Sequence, residues 1–405
     1  MSPEVFIQKY GFFQLLEKYW YFGLVAFVVS LILTPVARSF AYKFRIVDKP
    51  DDLLKPHCRP VAYLGGIGIA IGLLAGLADY GVYFWRSTPD KVEYFKNSLM
   101  HLDIAALQTS RLWMLIMIAV ACIIITLVGL VDDIRNITPR AKIFGQMLAA
   151  GFLLLGGVGL KLFLTLFGLC GCCFPAWLVV VGSCIICMVL VICTCNATNL
   201  LDGLDGLCGG VTAIIALGFL CLATWLATWG RFPATDELRI AITLAMAGAI
   251  LGFLPYNIPP ASIFMGDAGS MLLGFFVAVM ISLFSSEGLA RWAMAACVVY
   301  ALPILDTSLA VVRRVIAGRK IFEGDRGHLY DQLVDRGMSV KKVVLLFYVL
   351  SVLAAVIGNV VAIKIRFRYA LVIYSLLFLT VWVVFVYKGM VNPDEKRKDA
   401  KKDIA

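Results

Sequence analysis

The sequence predicts an all-α, polytopic integral membrane bundle of about eleven transmembrane helices, and three observations predict it. Hydrophobic residues make up 61% of the 405 residues and charged residues only 15%, a balance that excludes an ordinary soluble chain. The apolar residues gather into eleven runs, each about long enough to cross a bilayer. The basic residues fall mainly in alternate loops, as topology determinants do. The net charge of +10 therefore reads as a positive-inside signal, and no basic–aromatic pattern for nucleic acid accompanies it.

Residues 1–19 mix Phe6, Phe12, Phe13 and Leu15 with Lys9, Glu17 and Lys18, the make-up of an interfacial helix. No cleavable signal pattern precedes the first long run, which is expected to remain as an anchor. The runs lie near 20–40, 64–85, 112–131, 143–160, 176–196, 207–228, 238–256, 268–286, 291–312, 342–363 and 369–388. The expected organisation is an interfacial segment at 1–19, one transmembrane domain at 20–388 and a basic tail at 389–405. An odd number of spans puts the termini on opposite sides. The loops and ends at 38–60, 132–142, 313–342 and 388–402 hold roughly two-thirds of all Lys and Arg, which marks them as cytoplasmic. The insert around 86–111 carries no interpretable motif. Most of the twelve cysteines, including Cys122, Cys184, Cys187, Cys193 and Cys195, sit in apolar runs and read as small hydrophobes. The Cys170, Cys172, Cys173 cluster has no histidine beside it and is also read as packing.

Four polar motifs interrupt this pattern, all on the side marked as cytoplasmic. The first is Gly129-Leu130-Val131-Asp132-Asp133-Ile134, followed by Lys142 and Gln146. Adjacent carboxylates bind a hard cation or take a proton, and a lysine supplies a point charge for phosphate. The second runs from Asn196 through Asn199, Asp202, Gly203, Leu204 and Asp205 to Gly210. Its polar residues recur every third position, which spreads them over one face of a helical turn. Its glycines let backbone approach a ligand. Carboxylates at bilayer depth are costly and need water, a partner or a metal.

The third motif runs from Asn257 through Pro259, Pro260 and Phe264 to Gly266-Asp267-Ala268-Gly269-Ser270. The prolines break one helix and the glycines open the next, so Asp267 is expected beside free backbone donors at a helix N-terminus. The fourth is Gly324-Asp325-Arg326-Gly327-His328-Leu329-Tyr330-Asp331, with Arg as a bidentate phosphate ligand and His as donor or acid/base. An earlier loop adds Val47-Asp48-Lys49-Pro50, Lys55-Pro56-His57 and Gly65-Gly66. Each motif alone also reads as a helix cap or a charged loop. Their convergence at one membrane face suggests a single active site for Mg²⁺-assisted chemistry on a phosphate or diphosphate, with a lipid co-substrate arriving from the bilayer.

In this order the motifs, from Val47 to about Gly337, make the chain resemble the polyprenyl-phosphate N-acetylhexosamine-1-phosphate transferases, the superfamily of WecA, TagO and MraY (glycosyltransferase 4). The resemblance implies a transmembrane catalytic domain that moves a sugar-1-phosphate from a UDP-sugar to undecaprenyl or another polyprenyl phosphate. UMP is released and Mg²⁺, or Mn²⁺ in its place, is the cofactor. Carried over by motif, Asp267 and Asn199 are the metal ligands. Asp132 and Asp133 face the lipid phosphate, one of them as base, and His328 joins them as a catalytic group. Lys142, Arg326 and His328 contact phosphates. Asn196, Asp202, Gly203, Leu204, Asp205 and Asn257 line the donor pocket, with Phe264 against uracil.

The first loop is similar to the GlcNAc-1-phosphate branch. The resemblance thus implies UDP-GlcNAc as donor, at the initiating membrane step of a surface polysaccharide in a bacterial inner membrane. The chain departs from the histidine-rich His-x-His-His run of many relatives, having His328-Leu329-Tyr330-Asp331, so no histidine role is carried onto Tyr330 or Asp331. A MurNAc-pentapeptide donor is the alternative within the superfamily. An aromatic prenyltransferase would share the Asn/Asp-rich helix ends but not the segment from Phe264 to Ser270. A transporter would place its carboxylates near the midplane on repeated halves. The oligomeric state stays open, a homodimer included.

Overall fold

The computed structural model describes residues 9–48, 60–168, 173–230, 233–285, 290–318 and 327–391. Sixteen helices and one two-stranded ribbon appear among them: α1 (Phe12–Lys43), β1 (Val47–Asp48), β2 (Val61–Ala62), α2 (Gly65–Ser87), α3 (Pro89–Met100), α4 (Ile104–Thr109), α5 (Arg111–Arg135), α6 (Pro139–Leu155), α7 (Leu162–Phe167) and α8 (Ala176–Leu200). They continue with α9 (Leu207–Ala227), α10 (Pro233–Asn257), α11 (Gly266–Ser285), α12 (Ala290–Val299), α13 (Ala301–Ile316), α14 (Leu329–Asp335), α15 (Val340–Lys364) and α16 (Phe367–Tyr387). The chain is an all-α polytopic membrane protein.

Among the described residues nine helices are long and apolar enough to cross a membrane, or ten when a bent pair counts as one span. That pair is α12 and α13, which meet at 70° where one straight span was expected at 291–312. Pro303 supplies the cause, since it has no N–H and its ring crowds the carbonyl four residues back. The run expected at 143–160 is α6, of 17 residues, about 25 Å at 1.5 Å per residue. Gly156 ends it, and Gly157 and Gly159 follow with positive φ. At the N-terminus α1 runs unbroken for 32 residues from Phe12, so no break separates an interfacial helix at residue 19 from the first span. The insert at 86–111 forms the short helices α3 and α4. The described cysteines are free thiols; Cys170 and Cys172 lie outside the described residues.

Helix α11 is the axis of the bundle. It is apolar all round, and of its twenty residues Asp267 alone is not buried, the pattern of a helix surrounded by other helices. It packs on α5, α8, α2 and α12. Small residues allow this closeness, as they do between membrane helices generally. A Cβ on Gly66 would stand 2.2 Å from the Gly269 nitrogen, one on Gly129 2.5 Å from the Ala268 Cα, and one on Gly274 2.3 Å from the Thr194 carbonyl oxygen. The first half of α11 is thereby clasped by α2, α5 and α8 at once.

The ribbon pins the loop before α11. Val47 pairs with Ala62 and Asp48 with Val61 in antiparallel register, while Ala62 bridges to Ile263. The Phe264 N–H donates to the Ala62 carbonyl at 2.8 Å, and the Gly65 and Gly66 N–H groups donate to the Phe264 and Met265 carbonyls at 2.9 Å. Gly65-Gly66 thus serves the segment from Phe264 to Ser270.

Candidate active site

The α5–α6 turn presents the first carboxylate and the lysine. Helix α5 closes on Asn136 in the left-handed conformation (φ 49°), which asparagine tolerates. Thr138 caps α6 and Pro139 takes its first position, where a missing N–H costs nothing. Asp132 Oδ1 accepts from the Ile137 N–H at 2.9 Å, fixing its carboxylate across the turn. Its Oδ2 lies 2.7 Å from Lys142 Nζ, and the same ammonium donates to Asp267 Oδ2. One lysine from α6 therefore joins carboxylates from α5 and α11.

Asp133 takes a different place from its neighbour. Its Oδ1 accepts from the Asp267 N–H at 2.7 Å and its Oδ2 from the Ala268 N–H at 3.1 Å. The donors expected to be free at this helix start are consumed by Asp133, which caps α11 from outside. Gly266 makes room for it: its φ is +68°, and a Cβ there would lie 2.6 Å from Asp133 Oδ2.

Asn199, on the last turn of α8, donates from Nδ2 to Asp267 Oδ1 at 2.7 Å and to Ser270 Oγ at 2.9 Å. The two residues expected to ligate metal are thus adjacent. One turn earlier Asn196 donates to Gln146 Oε1 at 3.1 Å, tying α8 to α6. Asp202 follows in the α8–α9 turn, where burial and then the nearby Asp267 and Asp205 carboxylates push its acid up to about 8. Tyr63 faces the same charges, and burial with Asp202, Asp267 and Asp133 raises its phenol above the usual range.

Other expected pocket residues hold the loops. Asn257 is buried; its Oδ1 accepts from the Gly206 N–H at 3.1 Å and its Nδ2 donates to the Ile263 carbonyl at 3.0 Å. Asp205 Oδ2 accepts from the Ala261 N–H at 2.9 Å. These bonds lock the α8–α9 turn to the α10–α11 loop. Leu204 packs against the core, and Phe264 stands edge-on to Tyr63 with ring centroids 6.1 Å apart.

His328 sits before α14, and its Nδ1 lies 2.9 Å from Asp306 Oδ2. Asp306 Oδ1 accepts from the Leu329 N–H at 2.6 Å. Among the described residues no hydrogen bond joins His328 directly to Lys142, Asp267 or Asn199. The connection runs through Tyr330, whose ring stacks on His328 with centroids 5.6 Å apart. The Tyr330 hydroxyl donates to the Leu200 carbonyl at 3.1 Å, and a Cβ on Gly203 would meet it at 2.2 Å. Arg326 lies outside the described residues, as do Lys49, Pro50, Lys55, Pro56 and His57. Asp306 and Tyr63 lie outside the sequence motifs. The signal for Asp306 was present: a carboxylate inside an apolar span asks for a partner.

Comparison with known proteins matches the sequence to a family. The model of glycosyl transferase family 4 matches residues 115–285. The probable undecaprenyl-phosphate N-acetylglucosaminyl 1-phosphate transferase of Bacillus subtilis is 28% identical over 384 residues, covering 91% of this chain and 92% of that protein. The decaprenyl-phosphate N-acetylglucosaminephosphotransferase of Mycobacterium tuberculosis (strain ATCC 25618 / H37Rv) is 31% identical over 342 residues, 80% of this chain and 78% of its own. The chain belongs to glycosyl transferase family 4. A phospho-N-acetylmuramoyl-pentapeptide-transferase of Shouchella clausii is 26% identical over 350 residues, 83% of this chain and 94% of that one. The family match takes in Asp132, Lys142, Asn199, Asp202 and Asp267 and ends before Asp306 and His328.

Proposed function

We propose that this family 4 member transfers GlcNAc-1-phosphate from UDP-GlcNAc to undecaprenyl phosphate or a longer polyprenyl phosphate, with release of UMP. The reaction would initiate a cell-surface polysaccharide at the cytoplasmic face of a bacterial inner membrane. The reading rests chiefly on Lys142, which joins Asp132 and Asp267 at one end of the membrane bundle. The names of the Bacillus and Mycobacterium relatives, both N-acetylglucosaminyl phosphotransferases, support the donor over the MurNAc-pentapeptide alternative.

In this reading an oxygen of the acceptor phosphate attacks the phosphorus attached to GlcNAc. The bond from that phosphorus to the bridging oxygen breaks, and UMP leaves with the electron pair. Asp132 takes the proton of a protonated acceptor, and Lys142 offsets charge on the transferred phosphoryl group. Asp133 holds the start of α11 so that Asp267 stays at the reacting centre. The α8–α9 turn, with Asp202 and Gly203, and Phe264 from the α10–α11 loop form the donor side.

Among the described residues no three His, Cys, Asp or Glu side chains form a metal cage by themselves. Magnesium does not require one, because it takes one or two carboxylates and completes its shell with water and substrate phosphate. The donor set fits: Asp267, Asp132 and Ser270 offer hard oxygens, and Asn199 would ligate by turning its amide oxygen inward. When bound, the ion would draw charge from the diphosphate oxygens. The test is UMP release by purified protein given polyprenyl phosphate, Mg²⁺ and either UDP-GlcNAc or UDP-MurNAc-pentapeptide. Release with UDP-GlcNAc, lost on chelation, is expected; release only with the pentapeptide donor overturns the sugar assignment.

A further inference from the structure

Gln146 lies one helical turn beyond Lys142 on the same face of α6, and it is 0% exposed. Across from it stands Asn196, and the orientation of both amides is forced. The Ile192 carbonyl lies 2.7 Å from Asn196 Nδ2, so the atom facing it is the amino group. That same amino group donates to Gln146 Oε1. Turning the Gln146 amide over would set two amino groups against each other. Gln146 Nε2 is left as a buried donor without a hydrogen-bond partner. Native interiors rarely tolerate such a group unless something else uses it.

We propose that Gln146 is a positioning residue for the acceptor, its Nε2 donating to an oxygen of the polyprenyl phosphate monoester while Lys142 pairs with the same anion. This rests on the reaction proposed above. An unpartnered amide NH₂ matches an anionic oxygen and repels a cation. Helix α6 starts at the site and runs into the bundle, so Gln146 lies on the bilayer side of Lys142. The loop residues assigned to the nucleotide, Asp202, Gly203 and Phe264, follow or precede helices at the other side of Lys142. The next inward residues of α6, Ala149 and Ala150, offer no polar group, so Gln146 is the deepest donor on that face. The half-buried Asn196 occupies Oε1 of the same amide, so the group left for the phosphate is Nε2.

The test uses Gln146→Leu and Gln146→Met in the full-length protein. UMP release is titrated with polyprenyl phosphate at saturating UDP-GlcNAc and then with UDP-GlcNAc at saturating lipid. Binding of a short-chain polyprenyl phosphate without donor, and the thermal midpoint, are measured on the same samples. The expected result is at least a tenfold rise in KM and Kd for the lipid, KM for UDP-GlcNAc within twofold, and an unchanged or higher midpoint. Unchanged lipid KM and Kd would overturn the proposal, and a lowered midpoint beside them would leave Gln146 as a structural partner of Asn196 only. Wild-type protein that binds the lipid phosphate more tightly than both variants yet releases no UMP would overturn the reaction and leave this assignment standing.

Discussion

Asp133 caps the helix that carries Asp267: both of its carboxylate oxygens accept backbone N–H groups, at 2.7 Å from Asp267 and 3.1 Å from Ala268. The two adjacent aspartates of the first motif therefore have separate work. Asp132 faces Lys142, and Asp133 holds α11 in place. Asp133→Ala should lower stability by about 1–2 kcal/mol, the usual worth of a cap, and displace Asp267. Asp133→Asn keeps one acceptor oxygen and should fall between. Thermal unfolding beside UMP release checks this; an Asn variant as stable as wild type but wholly inactive would make Asp133 the base instead.

Lys142→Met should leave Asp132 and Asp267 facing one another without a counter-charge. A loss of about 100-fold or more in turnover is expected, the scale seen when one preorganised donor is removed from a reacting centre. Lys142→Arg should not restore full rate, because a planar guanidinium cannot reproduce a point contact to two carboxylates. Steady-state kinetics of both variants measure the effect. Near-normal turnover in the Met variant would remove the lysine from the chemistry.

Asp306→Asn bears on His328. The carboxylate accepts from the Leu329 N–H and pairs with His328 Nδ1, which fixes the ring's tautomer and direction. The expected outcome is a kcat reduced about tenfold or more and a KM for UDP-GlcNAc changed only slightly, with Asp306→Glu recovering part of the loss. Equal changes in kcat for both variants, with a lowered thermal midpoint, would reduce Asp306 to a structural tie.

Asp202 gives the ligand-free protein a pH dependence. Its acid is pushed up to about 8 by burial and by Asp267 and Asp205, against about 3.9 in an unfolded chain. Between these values the folded state holds the extra proton, so this group's contribution to stability declines as pH rises from about 4 to about 8 and is flat above. Asp202→Asn should remove that decline. Thermal midpoints of both proteins at pH 5, 7 and 9 decide it; parallel curves would mean that Asp202 is not the titrating group.

The fold class was legible because run length and charge placement are direct consequences of the bilayer. What run length could not express was the bend at Tyr300, set by Pro303, or the shortness of α6, set by the glycines after it. Asp132, Lys142, Asn199 and Asp267 were legible as a set because each ends or opens a span on one side. The partition between Asp132 and Asp133 was not, since it depends on which carboxylate meets the N-terminus of α11 across 134 residues of chain. Asp306 and Tyr63 lay outside any motif and acquire their meaning only from the residues packed against them. Asn257 and Asp205 carried the polarity of a pocket, yet their bonds go to backbone of the facing loop.

The most direct measurement follows the phosphorus. UDP-GlcNAc labelled at the phosphate attached to the sugar is incubated with purified protein, polyprenyl phosphate and Mg²⁺, and the lipid and aqueous phases are separated. Phosphosugar transfer at the Asp132–Lys142–Asp267 cluster predicts label in the lipid phase and unlabelled UMP in the water, both lost in Asp267→Asn. Label kept in aqueous UDP while sugar enters the lipid would contradict it, because the bond broken would then lie between the sugar and its phosphate.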